Sequence, residues 1–191
     1  VTPVLVTKLH KEYNMVVYNP EFLTEQNALE DFVNPPMHVF GGDKFYCHYL
    51  YQLYLDHSRC KDTTTRSYYL TPAEASFVKY GINSFLASKV LWFNQFSDLC
   101  DKHNVKYNAV MNALITDKRI GNSHMTVPGP DGRKGYGGAC FPKDTNAFSR
   151  FAEGDFSLLD LVIEENNKYR SEYVLDDREK EQNVVYIRNK I

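Results

Sequence analysis

A long run without helix breakers constrains the fold of this chain more than any other feature of its sequence. After Pro72 the next proline is Pro128, and Gly81 is the only glycine before Gly121. Proline and glycine are the residues that disfavour helix interiors most strongly. The run therefore predicts one long helix from Pro72 to about Lys102.

The start and the apolar side of this helix also follow from its residues. Thr71 can cap the helix, Pro72 suits its first position, and Glu74 completes a capping box. The apolar residues cover more than one narrow stripe, which predicts burial on two sides, between domains or in a homodimer. They include Phe77, Ile82, Phe85, Leu86, Val90, Phe93, Phe96, Leu99 and Cys100.

Short apolar segments alternate with helical ones before this helix. Strands are predicted at Met15–Tyr18, Met37–Phe40 and Thr65–Leu70, and helices at Pro3–Tyr13, at Thr24–Phe32 and from Asp43 to about Leu55. This alternation indicates an α/β layer with a parallel sheet. No glycine fingerprint of the GxGxxG kind follows any of the strands. We therefore expect the later part of such a domain, without its first strands, and the initial Val1 likewise indicates a piece of a longer protein.

The part after the long helix is predicted to be helical. Asn108 is expected to cap a helix that ends near Thr116, and further helices are predicted at Thr145–Ala152 and Phe156–Tyr169. The tail from Ser171 is highly charged, and Val184–Ile187 at its end is either a strand or a loose end.

Composition excludes several classes of function. The 191 residues carry a net charge of -2 with a pI of about 6.3, so no basic surface indicates nucleic-acid binding. No apolar run approaches the roughly 20 residues of a membrane span, and no signal peptide opens the chain. The four cysteines, Cys47, Cys60, Cys100 and Cys140, form no CxxC pair. We therefore expect no metal site, reduced thiols and a cytoplasmic location.

One glycine-rich stretch carries the strongest chemical signal. Gly135-Tyr136-Gly137-Gly138-Ala139-Cys140-Phe141-Pro142-Lys143-Asp144 places a cysteine at a predicted helix start, beside a lysine. A thiol at the positive end of a helix should ionise more easily than an isolated one. Cys140 is then either a nucleophile or a buried structural cysteine after an ordinary glycine turn, and these ten residues alone leave both interpretations open.

A second candidate pair lies on the long helix. Lys79 and Asn83 are four residues apart, so both point from one helix face. A lysine and an amide side by side could hold a carbonyl or an oxyanion. The alternative is a solvated helix face.

Four segments together resemble one family. They are Asn19–Glu25, Lys79–Val90, Asp117–Gly121 and Gly137–Asp144, and their order and spacing are those of the UDP-glucose/GDP-mannose dehydrogenase family. The resemblance is close over about Val1–Ala152. It implies the C-terminal part of a Rossmann-like NAD-binding domain (1–70), an all-α central dimerisation domain built on the long helix (71–170), and a linker or the start of a UDP-binding domain (171–191).

The resemblance also implies a reaction. Such enzymes oxidise the C6 alcohol of a nucleotide sugar to a carboxylate with two NAD molecules, and Phe141 favours UDP-glucose over GDP-mannose as the substrate. Cys140 would form a thiohemiacetal and then a thioester, while Lys79 and Asn83 stabilise the oxyanion. Asp144 would activate water for hydrolysis, with Glu21 as a second proton carrier or else as a turn carboxylate that caps the following helix.

Binding residues are carried over from the same resemblance. The sugar and nicotinamide side would be lined by Glu21, Phe22, Leu23, Thr24 and Glu25, with Glu25, Cys140 and Lys143 toward the cofactor. Arg119 would reach a substrate held by the neighbouring subunit of a homodimer. A loop would close over the nucleotide, unless its charged members are ordinary solvated residues; it comprises Asp131, Gly132, Arg133, Lys134, Gly135, Tyr136 and Gly137.

Other functions stay open at this point. The chain could be a non-catalytic helical dimerisation module, or part of a GDP-mannose or UDP-N-acetylmannosamine dehydrogenase. A cysteine hydrolase would need a histidine partner, and His124, the histidine nearest to Cys140 in sequence, is expected at the surface. Because the glycine fingerprint for NAD is missing, we expect the isolated 191 residues to be inactive.

Overall fold

The computed structural model is mostly helical and describes residues 1–24, 27–60 and 65–187. Its elements in chain order are α1 (Pro3–Glu12), α2 (Ala28–Val33), β1 (Met37–Gly41), α3 (Lys44–His57), β2 (Arg66–Leu70), α4 (Pro72–Lys102), α5 (Tyr107–Leu114), α6 (Phe141–Ala152), α7 (Ser157–Arg170) and α8 (Asp177–Glu181). The predicted fold class is confirmed: a parallel sheet comes first, and a helical part built on a long helix follows.

The chain divides into two compact units, Val1–Gly81 and Ile82–Ile191. Helix α4 runs through this boundary, so the first unit ends and the second begins within one helix. The domain limits implied by the resemblance stay a prediction. Within the described ranges, every helix is too short or too polar to span a bilayer.

The sheet of the first unit consists of two parallel strands joined through a helix. β1 pairs with β2 from Met37 opposite Arg66 to Gly41 opposite Leu70, and α3 lies between them in sequence. Residues 38–41 of β1 are buried, whereas β2 is partly exposed. Such a β-α-β unit is the parallel connection that the alternating pattern predicts.

Helix α4 begins where its capping residues place it. The backbone N–H and the hydroxyl of Thr71 both donate to a carboxylate oxygen of Glu74 at 2.8 Å, and the Glu74 N–H donates back to the Thr71 hydroxyl at 3.3 Å. This reciprocal pair satisfies backbone donors that a helix start leaves without partners. The helix then ends at Lys102, as predicted.

Two apolar clusters hold the second unit together. The first joins Ala87 and Leu91 of α4 to Tyr136 and to Val162 of α7, with Phe141 packed against it. The second cluster joins α4 to α5 and to the segment before the glycine-rich stretch, through Phe93, Cys100, Tyr107 and Met125. The first cluster thus fixes the chain on either side of Cys140 against α4.

The predicted strand at Met15–Tyr18 is wrong. Only Tyr18 pairs with the sheet, through an antiparallel bridge to Gly41. Met15 lies in a turn, and the Val16 N–H donates to the Tyr13 carbonyl at 2.9 Å. The chain therefore leaves α1 through a turn, and it reaches the sheet with one residue only.

Several helix starts differ from the prediction; α6, for example, begins at Phe141 and not at Thr145. Helix α5 begins at Tyr107, and the carbonyl of Lys106 accepts the first hydrogen bonds, so Asn108 lies inside the helix and does not cap it. The Tyr107 hydroxyl donates to the carbonyl of Met125, which anchors this earlier start. Helix α2 begins at Ala28, later than the predicted Thr24.

The tail is not a strand in the described residues. Residues 184–187 have no regular secondary structure, although Val184 is buried. The Tyr186 hydroxyl donates to a carboxylate oxygen of Glu179 at 2.8 Å. A side-chain contact, in place of backbone pairing, therefore holds this segment to the second unit.

Candidate active site

Cys140 stands at the start of α6 in the second unit. The helix begins at Phe141, with Pro142 in its first turn, and the Asp144 N–H donates to the Cys140 carbonyl at 2.9 Å. Cys140 is therefore the N-cap residue, partly exposed, at the end of a helix that favours negative charge. Cys47, Cys60 and Cys100 are buried, which leaves Cys140 as the cysteine that a reagent can reach most easily.

A buried carboxylate lies one helical turn after Cys140. Asp144 is 3% exposed, and one of its oxygens accepts a hydrogen bond from the Asn83 side-chain amide at 2.6 Å. Its other oxygen pairs with the ammonium group of Lys143. The structure thus joins two of the predicted catalytic residues, Asn83 on α4 and Asp144 on α6. The hydrogen bond from the Asn83 amide fixes the orientation of the Asp144 carboxylate.

Two further predicted catalytic residues, Lys79 and Glu21, lie in the first unit. The Lys79 ammonium is 3.0 Å from a carboxylate oxygen of Glu21 and 2.5 Å from the Glu21 carbonyl oxygen. It also lies over the ring of Phe22, 5.6 Å from the ring centre. The Lys79 side chain is 13% exposed, so the alternative of a solvated helix face does not describe it.

Glu21 forms a turn but does not cap a helix. Its second carboxylate oxygen accepts from the Leu23 N–H at 2.8 Å, whereas α2 begins only at Ala28. Thr24 donates to Asp31 through both its backbone and its hydroxyl, which holds the pKa of Asp31 below its usual value. The predicted substrate residues 21–24 therefore form an ordered segment beside Lys79, and Glu25 lies outside the described residues.

Buried polar side chains fix the segment before Cys140, which we call the glycine loop (Gly135–Gly138). The Gly135 N–H donates to Asn94 at 3.1 Å, while the backbone of Tyr136 exchanges hydrogen bonds with Asn166 at 2.7 and 3.0 Å. Gly135 and Gly138 have positive φ angles, a backbone conformation that residues other than glycine rarely adopt. Burial raises the pKa of the Tyr136 hydroxyl to about 12, so it stays protonated.

A charged cluster lies behind the glycine loop. Arg170, with no exposed side-chain surface, donates to Asp131 and to Glu179, at 2.7 Å each. Burial alone would raise the pKa of Glu179, but hydrogen bonds and the charge of Arg170 lower it, so Glu179 is ionised at neutral pH. Arg133 is 3.8 Å from Glu179. We call Asp131, Arg133, Arg170 and Glu179 the charged cluster.

The charged side chains of the predicted nucleotide loop therefore contact other residues of the same chain. Arg133 also donates to the Val174 carbonyl at 2.9 Å, and Lys134 pairs with Asp98. The alternative of an ordinary solvated loop does not describe Asp131 and Arg133, because both contact the buried Arg170–Glu179 pair. Gly132 has a positive φ, and a Cβ there would meet no atom within 4 Å.

Arg119 stands apart from these groups. Its side chain is 89% exposed and binds Asp117 through two nitrogens, which holds the pKa of Asp117 below its usual value. A position on the surface is compatible with a reach toward another molecule, which the resemblance implies for Arg119.

His124, which the sequence predicts at the surface, is only partly exposed. Its ring lies 5.6 Å from that of Phe141, its Nδ1 is buried, and burial lowers its pKa.

The described residues of the first unit do not fit the pyrophosphate of NAD. A dinucleotide site needs glycines that leave room after a strand; here Gly41 is the last residue of β1 and Gly42 follows it. A Cβ on Gly41 would lie 2.5 Å from Ala75, and one on Gly42 would lie 3.0 Å from the Val16 carbonyl oxygen. The protein's own atoms fill the space beside both glycines, so we derive no hydride step from these residues.

The sequence did not single out the residues that hold the glycine loop. Asn94, Asn166, Arg170 and Glu179 are 0–1% exposed, although all four are polar or charged. Asn166 and Arg170 lie one turn apart on the amphipathic helix α7, and a polar pair on such a helix is the available signal.

The sequence model of the UDP-glucose/GDP-mannose dehydrogenase family, central domain, matches residues 73–168. That range includes Lys79, Asn83, Cys140 and Asp144.

Curated relatives and solved structures agree with this match. The chain is 34% identical over 165 residues to a UDP-glucose 6-dehydrogenase of Rickettsia bellii, covering 84% of this chain and 36% of the relative. It is 35% identical over 160 residues to the UDP-glucose 6-dehydrogenase YwqF of Bacillus subtilis, covering 82% and 34%. A UDP-glucose dehydrogenase structure from Pyrobaculum islandicum superimposes with a TM-score of 0.69 at 36% identity, covering 80% and 34%. The chain thus spans about a third of the length of these relatives.

Proposed function

The chain belongs to the UDP-glucose/GDP-mannose dehydrogenase family, and we propose that it is the catalytic part of an NAD-dependent nucleotide-sugar 6-dehydrogenase. The proposed reaction converts the C6 alcohol of UDP-glucose to a carboxylate. The observation that carries the proposal is the buried Asn83–Asp144 hydrogen bond, one helical turn from the Cys140 thiol. The names of the relatives favour UDP-glucose over GDP-mannose or UDP-N-acetylmannosamine.

Cys140 supplies the nucleophile in this proposal. Its thiolate attacks the C6 aldehyde, a carbon–sulfur bond forms, and the carbonyl electron pair moves onto oxygen as an oxyanion. The N-cap position supports the role, because backbone N–H groups at a helix start favour a nearby anion. The chemistry that NAD would supply, if the protein holds it, is that of a hydride acceptor for the two oxidations.

Lys79 and Asn83 are the proposed donors to the oxyanion. They lie four residues apart on α4, and Glu21 and Asp144 hold their polar ends in place. Donors that are fixed before the reaction need no reorganisation as charge develops, and one such donor is typically worth about 2.7–4 kcal/mol. The ammonium group of Lys79 also neutralises the negative charge of the oxyanion, which the uncharged amide of Asn83 does not.

Asp144 is the proposed base for the last step. It accepts a proton from the water that attacks the thioester, and the carbon–sulfur bond breaks to release the Cys140 thiolate. Asn83 and Lys143 hold its two oxygens, so the carboxylate has a fixed orientation. Glu21 is the second candidate for this proton, and its side chain is 55% exposed.

The remaining residues are proposed as substrate contacts. The segment with Phe22, Leu23 and Thr24, together with Glu25, would line the sugar, and Lys143 would face the cofactor. Arg119 would bind a substrate of the partner subunit. The nucleotide loop with Arg133 and Lys134 would have to exchange its internal partners for the substrate. Four thiols without a disulfide support a cytoplasmic location.

A homodimer through α4 is part of the proposal. Phe85, Trp92 and Leu99 lie seven residues apart on α4, and their exposed fractions are 68%, 54% and 51%. Residues at this spacing share one helix face. Three large apolar side chains in one row support contact with the same row of a second copy.

Thiol modification and activity test the proposed function together. In the 191-residue chain, we expect iodoacetamide to alkylate Cys140 before Cys47, Cys60 and Cys100, and UDP-glucose to slow that reaction. In the protein as its gene encodes it, Cys140→Ser should lower NADH formation from UDP-glucose by about 10³-fold or more, because a nucleophile is lost. Cys100→Ser, at a buried position in the same unit, is the matched control.

The proposal fails if Cys140→Ser retains the activity of the control. A chain that binds UDP-glucose but never forms NADH, in any form of the protein, would leave the non-catalytic dimerisation module as the better interpretation.

A further inference from the structure

The glycine loop lies directly against a buried ion pair. A Cβ added to Gly137 would be 1.9 Å from an Nη atom of Arg170 and 2.7 Å from a carboxylate oxygen of Glu179. A side chain at this position would force Arg170 or Glu179 to move, because real Cβ atoms essentially never approach other atoms within 3.0 Å. The Gly138 N–H also points to that same Glu179 oxygen, at 3.4 Å. Arg170 and Glu179 thus contact the last two glycines before Ala139 and Cys140.

The pair is held from several sides. Tyr186 donates to Glu179 at 2.8 Å, and the Asp176 N–H donates to its other carboxylate oxygen at 2.9 Å. Arg170 donates to Asp131 as well as to Glu179. Three segments of the second unit therefore meet at Gly137: the end of α7, the short helix α8 and the predicted nucleotide loop.

A buried ion pair of this kind is a poor means of stabilising a fold. Removing two charges from water costs several kcal/mol per ion, and apolar residues of the same volume often serve the fold equally well. The neighbouring residues of the loop are held by uncharged amides, with Asn94 on Gly135 and Asn166 on Tyr136. The charged ends of Arg170 and Glu179 lie against Gly137 and Gly138, whereas Arg170 meets Gly135 through a side-chain carbon.

The charges of the cluster also balance. Asp131 and Glu179 are opposed by Arg133 and Arg170, so the charged cluster carries no net charge. It can therefore hold the backbone firmly without opposing a thiolate a few residues away. Replacing Glu179 by a neutral residue would upset both the hydrogen bonds and this balance.

We propose that the buried Arg170–Glu179 pair is a positioning device: it fixes Gly137 and Gly138 so that the Cys140 thiol keeps its orientation for reaction. Arg170 and Glu179 are positioning residues that act through the backbone of the glycine loop. The inference rests on the proposed role of Cys140 as nucleophile.

The test uses Glu179→Gln, which keeps the size of the side chain and removes its charge. A loosened glycine loop should expose the thiol, so alkylation of Cys140 by iodoacetamide in the 191-residue chain should accelerate about 3–10-fold. In the protein as its gene encodes it, kcat for UDP-glucose should fall about 10–100-fold with KM within about 2-fold, because the nucleophile is misplaced. A merely structural role would also expose the buried Cys47 and Cys100 to iodoacetamide, whereas a positioning role should accelerate the alkylation of Cys140 alone.

Glu181→Gln is the matched control, since Glu181 is an exposed residue of the same helix α8. Arg170→Lys is the second variant if Glu179→Gln does not fold; it keeps the charge but loses the two-pronged donor, and both readouts should move in the same directions. The inference is overturned if either readout equals that of the control. If Cys140→Ser itself retains activity, the proposed function fails instead, and the alkylation readout still decides whether the pair holds the loop.

Discussion

At the scale of single residues, the site divides into parts that a motif reveals and parts that only folding creates. Cys140 and Asp144 are four residues apart, so the helix that Pro142 favours brings them within one turn. Arg170 and Glu179 show no such local signal, because their burial depends on the approach of Gly137 from another segment. Sequence reasoning could therefore find the first pair but not the second.

Asp144→Asn is expected to block the last chemical step more than the earlier ones. An amide keeps the shape of the side chain but cannot take a proton from water, so thioester hydrolysis should slow about 10²–10⁴-fold. Mass spectrometry of the protein as its gene encodes it, mixed with UDP-glucose and NAD, should then show a covalent adduct on the peptide with Cys140.

Asp160→Asn is the matched control for this prediction. Asp160 accepts a hydrogen bond from Ser149 of α6, so it contacts the same helix away from Cys140. An adduct that is equally absent in both variants, with unchanged turnover, would remove Asp144 from the reaction.

At the scale of elements, a helix or strand could be predicted well where the sequence carries several local signals for it, such as a cap and an uninterrupted run. Helix α4 was predicted with both of its ends, because a capping box opens it and no breaker interrupts it. The segment Met15–Tyr18 offered only a short apolar run, which cannot distinguish a strand from a buried turn. The start of α5 was set by the ring of Tyr107 against Met125, a contact between distant residues that outweighed the capping preference of Asn108.

Gly81 weakens helix α4, although no neighbouring atom requires a glycine at this position. A Cβ at Gly81 would meet nothing within 4 Å. Gly81→Ala should therefore stabilise the protein by about 0.5–1 kcal/mol, because glycine loses more backbone freedom on folding than alanine does. Urea denaturation followed by circular dichroism measures this difference.

Gly137→Ala provides the contrast for this measurement. The same exchange at that position forces a methyl group against Arg170, so it should destabilise the protein by about 1–3 kcal/mol. Equal effects of the two substitutions would show that the contact of Gly137 with the buried pair is not tight.

At the scale of the whole molecule, the sequence indicated a long helix with apolar residues on two sides. In the second unit, one side of the helix is buried: Ala87, Leu91 and Phe93 belong to the apolar clusters. On the other side, Phe85 and Trp92 are exposed. Whether the exposed side is covered depends on association, which no pattern within one chain specifies.

The only tryptophan of the chain reports on that association. Trp92 is 54% exposed on the proposed dimer face. Its fluorescence emission should therefore move to longer wavelength on dilution, as dimers dissociate and the indole ring meets water. Sedimentation velocity over the same concentrations should show the dimer peak decline.

Trp92→Glu should leave a monomer, since a charge cannot be buried in an apolar contact without a large cost. Asp101→Asn, an exposed change nine residues after Trp92 and thus on the opposite side of the same helix, is the control. A wild-type chain that sediments as a monomer at all concentrations would contradict the proposed dimer.

The four-residue spacing of Lys79 and Asn83 on α4 determines the directions in which their side chains leave the helix. Each residue advances a helix by about 100°, so inserting a single alanine after Gly81 would rotate Asn83 to a different side of the axis while every contact of Lys79 with Glu21 survived. An insertion in a loop outside α4 would leave the four-residue spacing of Lys79 and Asn83 unchanged, whereas an insertion within this turn would not.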